Sequence, residues 1–516
     1  MHTLIALARA AASSWPDKVL LHFDGTGETL TFAEFDRQTD AIADTLARHG
    51  IRKGDRVLVA SANRALFPLA WFGILKSGAV MVPINTAYRL QDARHIVNLA
   101  EPKAAFSDAD RIPLIQALTA ETPSLAVFIS SGAPESGWLT LASASAGDNA
   151  QLPSVSVEPE DLANIQFTSG SSGFPKGCML THRYWMVLAQ AVRDAVIALG
   201  TDDVMLTAQA FSYLDPQWAL VLTLMSGSRL VVLERFRPSI LWDKIVEHDV
   251  SFFYCLAAMP LMLLSSPVTA AERRHRLRLI MCSAIPLDRH AELEERFGVP
   301  WLEAYGSTET GSDLGIGLAD HDRTCGTGTI GMPLAHREAC IVDDAFRPLS
   351  DSAEGELLIR GAGMMLGYWR NPEGTAEAFH DGWYRTGDIA RRDVDGFYYL
   401  VGRRKDMIRR AGENIAAAEV EGVLQQHPAV TIAACVAVPD PVRNEEVRVF
   451  IVPRGEVSVA ELLDFLGPRL ARFKIPRYWS FVPSLPMTPS ERVAKPMLPR
   501  ELDRETIDAA LLSAGP

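Results

Sequence analysis

The chain has little of several features that would each have pointed to a class of function. Its six cysteines (Cys178, Cys255, Cys282, Cys325, Cys340 and Cys435) are scattered over 516 residues and form no C-x-x-C pair. That pattern argues against a zinc site or a disulfide framework and fits a reducing cytoplasm. Positive charge is in deficit: 50 Lys and Arg stand against 63 Asp and Glu, a formal net charge of −13. A general nucleic-acid footprint does not fit this balance, so local clusters must meet any phosphorylated small molecule. Uninterrupted apolar runs are also missing. Ser, Asp, Gln or Pro break the two longest, Leu206–Leu224 and Phe252–Leu264. They read as buried strand and helix rather than membrane spans. The stretch Thr3–Ala12 is broken by Arg9 and lacks a basic start and a cleavage site, so it reads as an amphipathic helix, not a signal peptide. No repeat of fixed period is present.

What remains is a globular composition, 48% hydrophobic and 22% charged, long enough for two to four folding units. Residues 17–150 alternate helical and strand patterns. Thr31 and Glu34 form a candidate capping box. Arg56–Ala60 and Ala79–Pro83 read as strands around a helix at Trp71–Lys76. From 181 to 330 the alternation continues, with strands expected at Leu206–Ala210, Arg229–Leu233, Ser251–Cys255 and Leu279–Ser283. This rhythm implies doubly wound parallel sheets. Beyond 335 the texture turns β-rich. After the basic run Gly402–Arg410 comes a compact tail. In it Asn414–Gln426 and Val459–Leu470 read as helices, and Val430–Val438 and Val447–Val452 as strands. The fold class is thus α/β: a large N-terminal domain with doubly wound sheets plus a small β-rich unit, and a small, mobile α+β C-terminal domain.

One stretch organises the chemistry. A short apolar strand ends at Thr168, and Ser169-Gly170-Ser171-Ser172-Gly173-Phe174-Pro175-Lys176-Gly177 follows. Glycines let backbone N–H groups turn toward an anion, hydroxyls add donors and Lys176 adds a point charge. It reads as a phosphate-cradling loop, although not the common P-loop, which needs Ser or Thr after the lysine. The formal G-x-G-x-x-G at Gly326–Gly331 lacks a clear preceding strand and is set aside. Further clusters lie at Glu303-Ala304-Tyr305-Gly306-Ser307-Thr308-Glu309 and Trp383-Tyr-Arg-Thr-Gly-Asp388. A last cluster joins Gly402-Arg403-Arg404-Lys405-Asp406 to Ala411-Gly412-Glu413-Asn414. Tyr305 offers an aromatic face for a base, and Thr308 and Glu309 offer oxygens suited to Mg²⁺.

In this order and spacing the clusters resemble the adenylate-forming superfamily of acyl-CoA ligases, luciferases and peptide-synthetase adenylation domains. The resemblance covers nearly the whole chain. Arg409-Arg410-Ala-Gly-Glu-Asn-Ile and Thr488-Pro-Ser-Glu look most like the crotonobetaine/carnitine-CoA ligase branch. Such enzymes first join a carboxylate to the α-phosphate of Mg·ATP, then pass the acyl group from AMP to a thiol, usually of CoA. The resemblance implies a boundary between residues 1–403 and 404–516, with a hinge at Lys405.

By position, Thr168–Lys176 would hold the β- and γ-phosphates, with Tyr305 near adenine and Ser283, Ala284 and Ile285 opposite. Glu303, Ala304, Gly306 and Ser307 complete the nucleotide contacts. Glu309 would ligate Mg²⁺ and Thr308 would touch the α-phosphate. Asp388 and Arg403 would hold the ribose, and the loop Ala411-Gly412-Glu413 would serve thioester formation. Phe211, Ser212, Tyr213, Asp215 and Trp218 would line a pocket for a carboxylic acid with an apolar body. The resemblance also allows a weak homodimer.

Three departures stand out. Aligned on Leu485-Pro486, the family's catalytic lysine is replaced by Arg492, and Lys495 falls on a later lysine unless an insertion shifts the register. Arginine keeps the charge but not the shape. The expected function is therefore thioester formation from acyl-adenylate and CoA with a weak or absent adenylation step, a separate enzyme then being one source of adenylate. A complete two-step synthetase, transfer to a carrier-protein thiol and a non-catalytic adenylate-binding protein stay open. Ser212 stands where many relatives have His, and Cys282-Ser283-Ala284-Ile285-Pro286 where they often have Gly-Gly before Ala-Pro.

Overall fold

The computed structural model of the chain describes residues 2–132, 135–146, 155–168, 175–256, 259–410, 413–441, 443–488 and 492–512. Residues Ser169–Gly173, Ala411 and Gly412, and the side chain of Glu413, all expected at the site, lie outside the described set. Two compact units emerge: Met1–Glu338 with Arg360–Gly382, and Ala339–Ile359 with Trp383–Pro516.

The first unit holds two sheets. One runs in the order Leu139–Thr140, Val127–Ser130, Ala104–Ser107, Arg56–Ala60, Val80–Pro83, Leu162–Thr168, Lys176–Thr181. Its neighbours are parallel except for the last pair, an antiparallel hairpin. The other sheet runs Glu28–Thr31, Val19–Phe23, Arg229–Val232, Val204–Thr207, Phe252–Leu256, Leu279–Ser283, Trp301–Ser307, Gly311–Gly315, Thr329–Pro333. Its middle is parallel and its two ends antiparallel. The expected α/β alternation is therefore present.

Two helices fill the interior beside these sheets. Every residue of Leu66–Lys76 is buried, and Leu214–Ser226 is nearly so. Neither shows a polar face, as expected of helices covered on all sides. Lys76 can be buried there because Asp36 and Asp40 each place a carboxylate oxygen 2.6 Å from its ammonium. Thr31 caps Phe32–Arg48 in the expected reciprocal box with Glu34. No described helix is long and apolar enough to cross a membrane.

In the second unit, Gly355–Gly361, Trp383–Arg392 and Tyr398–Arg403 form antiparallel ladders. A further sheet joins Glu413–Ala416, Met407–Arg410, Asn444–Pro453, Tyr478–Phe481 and Ile507–Asp508, with Val430–Asp440 also on Asn444–Pro453. Val420, Leu424, Leu462 and Leu466 from two helices close over Val449, Ile451 and Trp479. The expectation of one helix over Asn414–Gln426 is corrected here. Glu413–Ala416 is a strand, and Ile415 faces Ile408 across the ladder before the helix Ala417–Gln425 begins. Cross-strand burial of two isoleucines outweighs local helical preference. The other helix stops at Leu466 rather than Leu470, because Gly467-Pro468 brings low propensity and then a missing amide hydrogen.

Candidate active site

The hairpin that flanks the expected phosphate loop is set by its register. Leu162–Thr168 pairs with Lys176–Thr181 so that Thr168 stands opposite Lys176 at the open end. Gly177 has no room for a side chain, since a Cβ there would lie 2.7 Å from Ile165 Cγ2. The Lys176 ammonium sits 5.0 Å from the ring centroid of Tyr368, a cation–π contact. The same tyrosine donates its hydroxyl hydrogen to Glu309 Oε1 at 3.0 Å, and Glu309 accepts Met365 N–H on its backbone oxygen at 2.8 Å. A lysine from the hairpin, an aromatic ring and a carboxylate thus form one line. Lys176 and Glu309 come together here, and Tyr368 joins them.

On the second sheet, Glu303 fixes the turn that follows Leu279–Ser283. Its carboxylate accepts Ala284 N–H at 2.6 Å and Ile285 N–H at 2.8 Å. Ala284 is held at φ +72°, a left-handed conformation that costs a non-glycine residue roughly 1–2 kcal/mol. The two carboxylate bonds offset that cost. Ser283 Oγ donates to Ala304 O at 2.8 Å, and Tyr254 Oη lies 2.9 Å from Ser283 Oγ. Burial, the larger influence, pushes the Glu303 carboxyl up to about 8 against the pull of its two backbone donors.

This carboxyl has a testable pH signature. It keeps its proton to about 8 in the folded state but loses it near the ordinary 4.5 when unfolded. The stability it contributes is therefore full below 4.5 and lost as pH rises through about 8. Glu303→Gln cannot titrate and turns an NH₂ toward one of two backbone donors, a loss of about 1–3 kcal/mol. Urea denaturation should show the wild-type advantage shrinking between about pH 4.5 and about pH 8. An advantage of constant size would contradict this account.

The turn after Trp301–Ser307 is braced from below. Tyr305 pairs with Leu314, and Gly306 can only be glycine because a Cβ would fall 1.9 Å from Gly311 O. Tyr184 Oη donates to Thr308 O at 3.0 Å. Ser307 Oγ and Thr310 Oγ1 are 2.9 Å apart, and Thr310 Oγ1 bonds Asp313. Asp313 pairs with Arg337 at 2.7 Å, both side chains 1% exposed. Arg337 also donates to the carbonyls of Thr310 and Ala362. Burial, the larger influence, raises the Asp313 carboxyl to about 6 despite Arg337.

The expected acyl-pocket segment is fixed by a chain of buried amides. Trp71 Nε1 donates to Asn164 Oδ1, and Asn164 Nδ2 to Gln217 Oε1. Gln217 Nε2 donates to the carbonyls of Phe211 (2.8 Å) and Tyr213 (3.0 Å), and Gln166 Nε2 to Ser212 O (2.7 Å). Asn63 Oδ1 accepts Phe211 N–H at 2.9 Å. Phe211 itself is fully buried and stacks on Phe67. Tyr213 Oη accepts from Asn85, and Trp218 meets Tyr254 edge to face at 5.4 Å. Asp215 lies near enough to Tyr254 to raise its phenol further after burial has done so.

In the second unit, Asp388 and Arg403 are cross-strand partners and form an ion pair at 2.6 Å. Lys405 is exposed on the single turn Arg404–Asp406. Arg492 is exposed; its N–H meets Thr488 Oγ1 at 3.1 Å, and its carbonyl accepts Thr488 N–H at 2.6 Å. Lys495 is engaged elsewhere, 2.7 Å from Glu421 Oε1 and 3.7 Å from Asp406 Oδ2.

Reading the sequence had missed Tyr368, Tyr254, Gln217 and the Asp313–Arg337 pair. Tyr368 is 59 residues from Glu309 in sequence, and no spacing rule joins them. Gln217 carried one faint signal, an amide directly before the largely apolar run Trp218–Leu224 in the helix Leu214–Ser226.

Comparison with known proteins places the chain. A family model described as AMP-binding enzyme matches residues 8–369, and one described as AMP-binding enzyme C-terminal domain matches 419–492. A crotonobetaine/carnitine–CoA ligase of Salmonella typhi is 32% identical over 503 residues, 94% of this chain and 96% of that protein. A sulfoacetate–CoA ligase of Cupriavidus necator is 30% identical over 496 residues, 96% of each. The crystal structure of ATP-bound MatB from Rhodopseudomonas palustris superposes with a TM-score of 0.85 at 26% identity, over 95% of this chain and 97% of that one. The chain therefore belongs to the AMP-binding enzyme family, among its adenylate-forming acyl-CoA ligases.

Proposed function

We propose that the protein forms an acyl-CoA thioester from an acyl-adenylate and CoA, and that its own ATP-dependent adenylation step is weak. The observation that carries this reading is the state of the two C-terminal cations. Arg492 stands where the family's catalytic lysine is expected, and Lys495 is tied to Glu421 and Asp406. In adenylation, an ammonium bridges the incoming carboxylate and the α-phosphate as like charges are forced together. A planar guanidinium on a longer stem spreads the same charge over a different shape.

The remaining roles follow the chemistry of each group. Lys176 neutralises phosphate oxygens, and Tyr368 orients Glu309. Glu309, with Thr308 beside it, offers oxygen donors alone, which suits Mg²⁺; that ion would neutralise phosphate charge. Glu303 shapes the turn at Ser283–Ile285 against the nucleotide. The paired Asp388 and Arg403 take the ribose hydroxyls. Lys405 serves as the hinge between residues 1–403 and 404–516, and Gly412 as the thioester-loop glycine. Trp218 and Tyr213 offer an apolar wall for the acid. Relatives named as CoA ligases favour CoA over a carrier-protein thiol.

The intact line Lys176–Tyr368–Glu309 favours a second reading, the complete two-step synthetase. One experiment divides the two. Pyrophosphate release is measured with candidate acids, ATP and Mg²⁺, and thioester formation with synthetic acyl-adenylate and CoA. The proposal expects thioester at a rate well above pyrophosphate. Pyrophosphate release that keeps pace would establish the two-step enzyme, and no thioester from adenylate would remove the ligase reading.

A further inference from the structure

The helix Leu90–Ala100 touches the candidate site twice. Ala93, Ile96, Val97 and Ala100 bury one face of it in the core against which Phe167 and Trp369 also pack. His95 and Leu99 stand one turn apart, so they share a second line along the helix. His95 Nε2 lies 3.2 Å from Pro175 O. A carbonyl only accepts, so this nitrogen carries the ring hydrogen and donates it. Pro175 has no N–H, and its carbonyl is the one backbone group by which it can be held. One turn on, Leu99 O accepts the indole hydrogen of Trp369 Nε1 at 3.1 Å. The Trp369 backbone N–H in turn donates to Gly177 O at 2.7 Å. The residues on either side of Lys176 are thus tied to the same helix, one directly and one through Trp369. The helix end that holds Trp369 is itself fixed. Its last carbonyls have no later turn to meet, and Arg56 supplies donors to Ala100 O at 2.7 Å and Glu101 O at 3.1 Å. Arg56 and Arg370 lie 5.6 and 5.8 Å from the Trp369 ring centroid, and Arg370 pairs with Glu101 at 2.5 Å.

Given the phosphate role proposed for Lys176, we infer that His95 is a positioning residue for it. Through Pro175 O, His95 sets where the Lys176 backbone sits, and the helix Leu90–Ala100 thereby aims the ammonium at the β- and γ-phosphates of ATP. The long, flexible stem of a lysine gives its ammonium many resting places, so where the charge lands depends on where the backbone is held. Tyr368, whose ring centroid lies 5.0 Å from that ammonium, is the chain neighbour of Trp369. One helix therefore registers both partners of the cation–π contact. His95 stands 80 residues before Pro175, and no motif joins the two.

The test is calorimetric titration of the full chain with Mg·ATP and, separately, with AMP. AMP lacks the two phosphates at issue and is the internal reference. His95→Phe keeps a ring but removes the donor; Mg·ATP should bind about 3–10-fold more weakly and AMP as before. His95→Gln offers an N–H at similar reach and should restore most of the loss. A loss shared equally by both ligands, or a His95→Gln no better than His95→Phe, would overturn the positioning role. Lys176→Ala, measured alongside, should weaken Mg·ATP by about 10–100-fold. If it does while His95→Phe binds Mg·ATP like the wild type, the role of His95 fails and that of Lys176 stands. If Mg·ATP binding does not respond to Lys176→Ala, the phosphate role fails and takes this one with it. Should His95→Phe not fold, Trp369→Phe decides, since it removes the indole hydrogen from Leu99 O: weaker Mg·ATP beside unchanged AMP supports the clamp, and unchanged Mg·ATP overturns it.

Discussion

Arg492→Lys should speed pyrophosphate release from acid and Mg·ATP by about 10²–10³-fold, the usual worth of one well-placed donor where charge develops. Thioester formation from supplied acyl-adenylate should not change, because the bridged carboxylate and α-phosphate are already joined in that substrate. The variant places no new strain on its surroundings: Arg492 is exposed, and the polar contacts it makes with Thr488 are through its backbone. Lys495→Ala is the matching control. Its ammonium answers Glu421, whose carboxyl burial raises and Lys495 pulls back down, so its loss should appear as a lower melting temperature. A pyrophosphate rate that stays flat in Arg492→Lys but collapses in a folded Lys495→Ala would reverse the assignment of the two residues.

Arg337→Met should destabilise the first unit by about 3–5 kcal/mol, because it strands Asp313 where neither side chain reaches water. The loss has a second part. Arg337 also satisfies carbonyls of Thr310 and Ala362, which would be left without those donors. Replacing both charges, as in Asp313→Leu with Arg337→Met, should cost less than the single change, since no unpaired carboxylate remains. Chemical denaturation of the two variants checks this. A double variant less stable than Arg337→Met would mean that the bond Asp313 keeps with Thr310 outweighs the cost of its unpaired charge, and would overturn this account.

Much of the fold was legible because alternation is a local signal. Leu279–Ser283 and Arg229–Val232 are apolar runs of strand length and fold as strands. Asn414–Ala416 was not legible, because its strand state depends on Ile408 across the ladder. The site divides the same way. Glu303 and Glu309 stand in one compact motif and could be singled out. Their partners could not: Ala284 N–H meets Glu303 only after two parallel strands align, and Tyr368 reaches Glu309 from another part of the unit. Lys495 was ambiguous in sequence for a similar reason, since Glu421 and Asp406 are distant along the chain.

The amide chain through Asn164, Gln217 and Gln166 sets terms for anyone who would retarget this enzyme to a new acid. Gln217 and Gln166 grip main-chain carbonyls at 211–213, not side chains. With the acyl pocket proposed above, a combinatorial library would vary Ser212 and Trp218 while the backbone carbonyls of 211–213 stay clamped. A library that randomises Gln166 or Gln217 would release the same clamp, and because Gln166 lies on the strand Leu162–Thr168, such a change would, on the proposed roles, disturb the phosphate loop together with the acid pocket. The productive search space is small and already marked: hold the three amides and change what projects from between them.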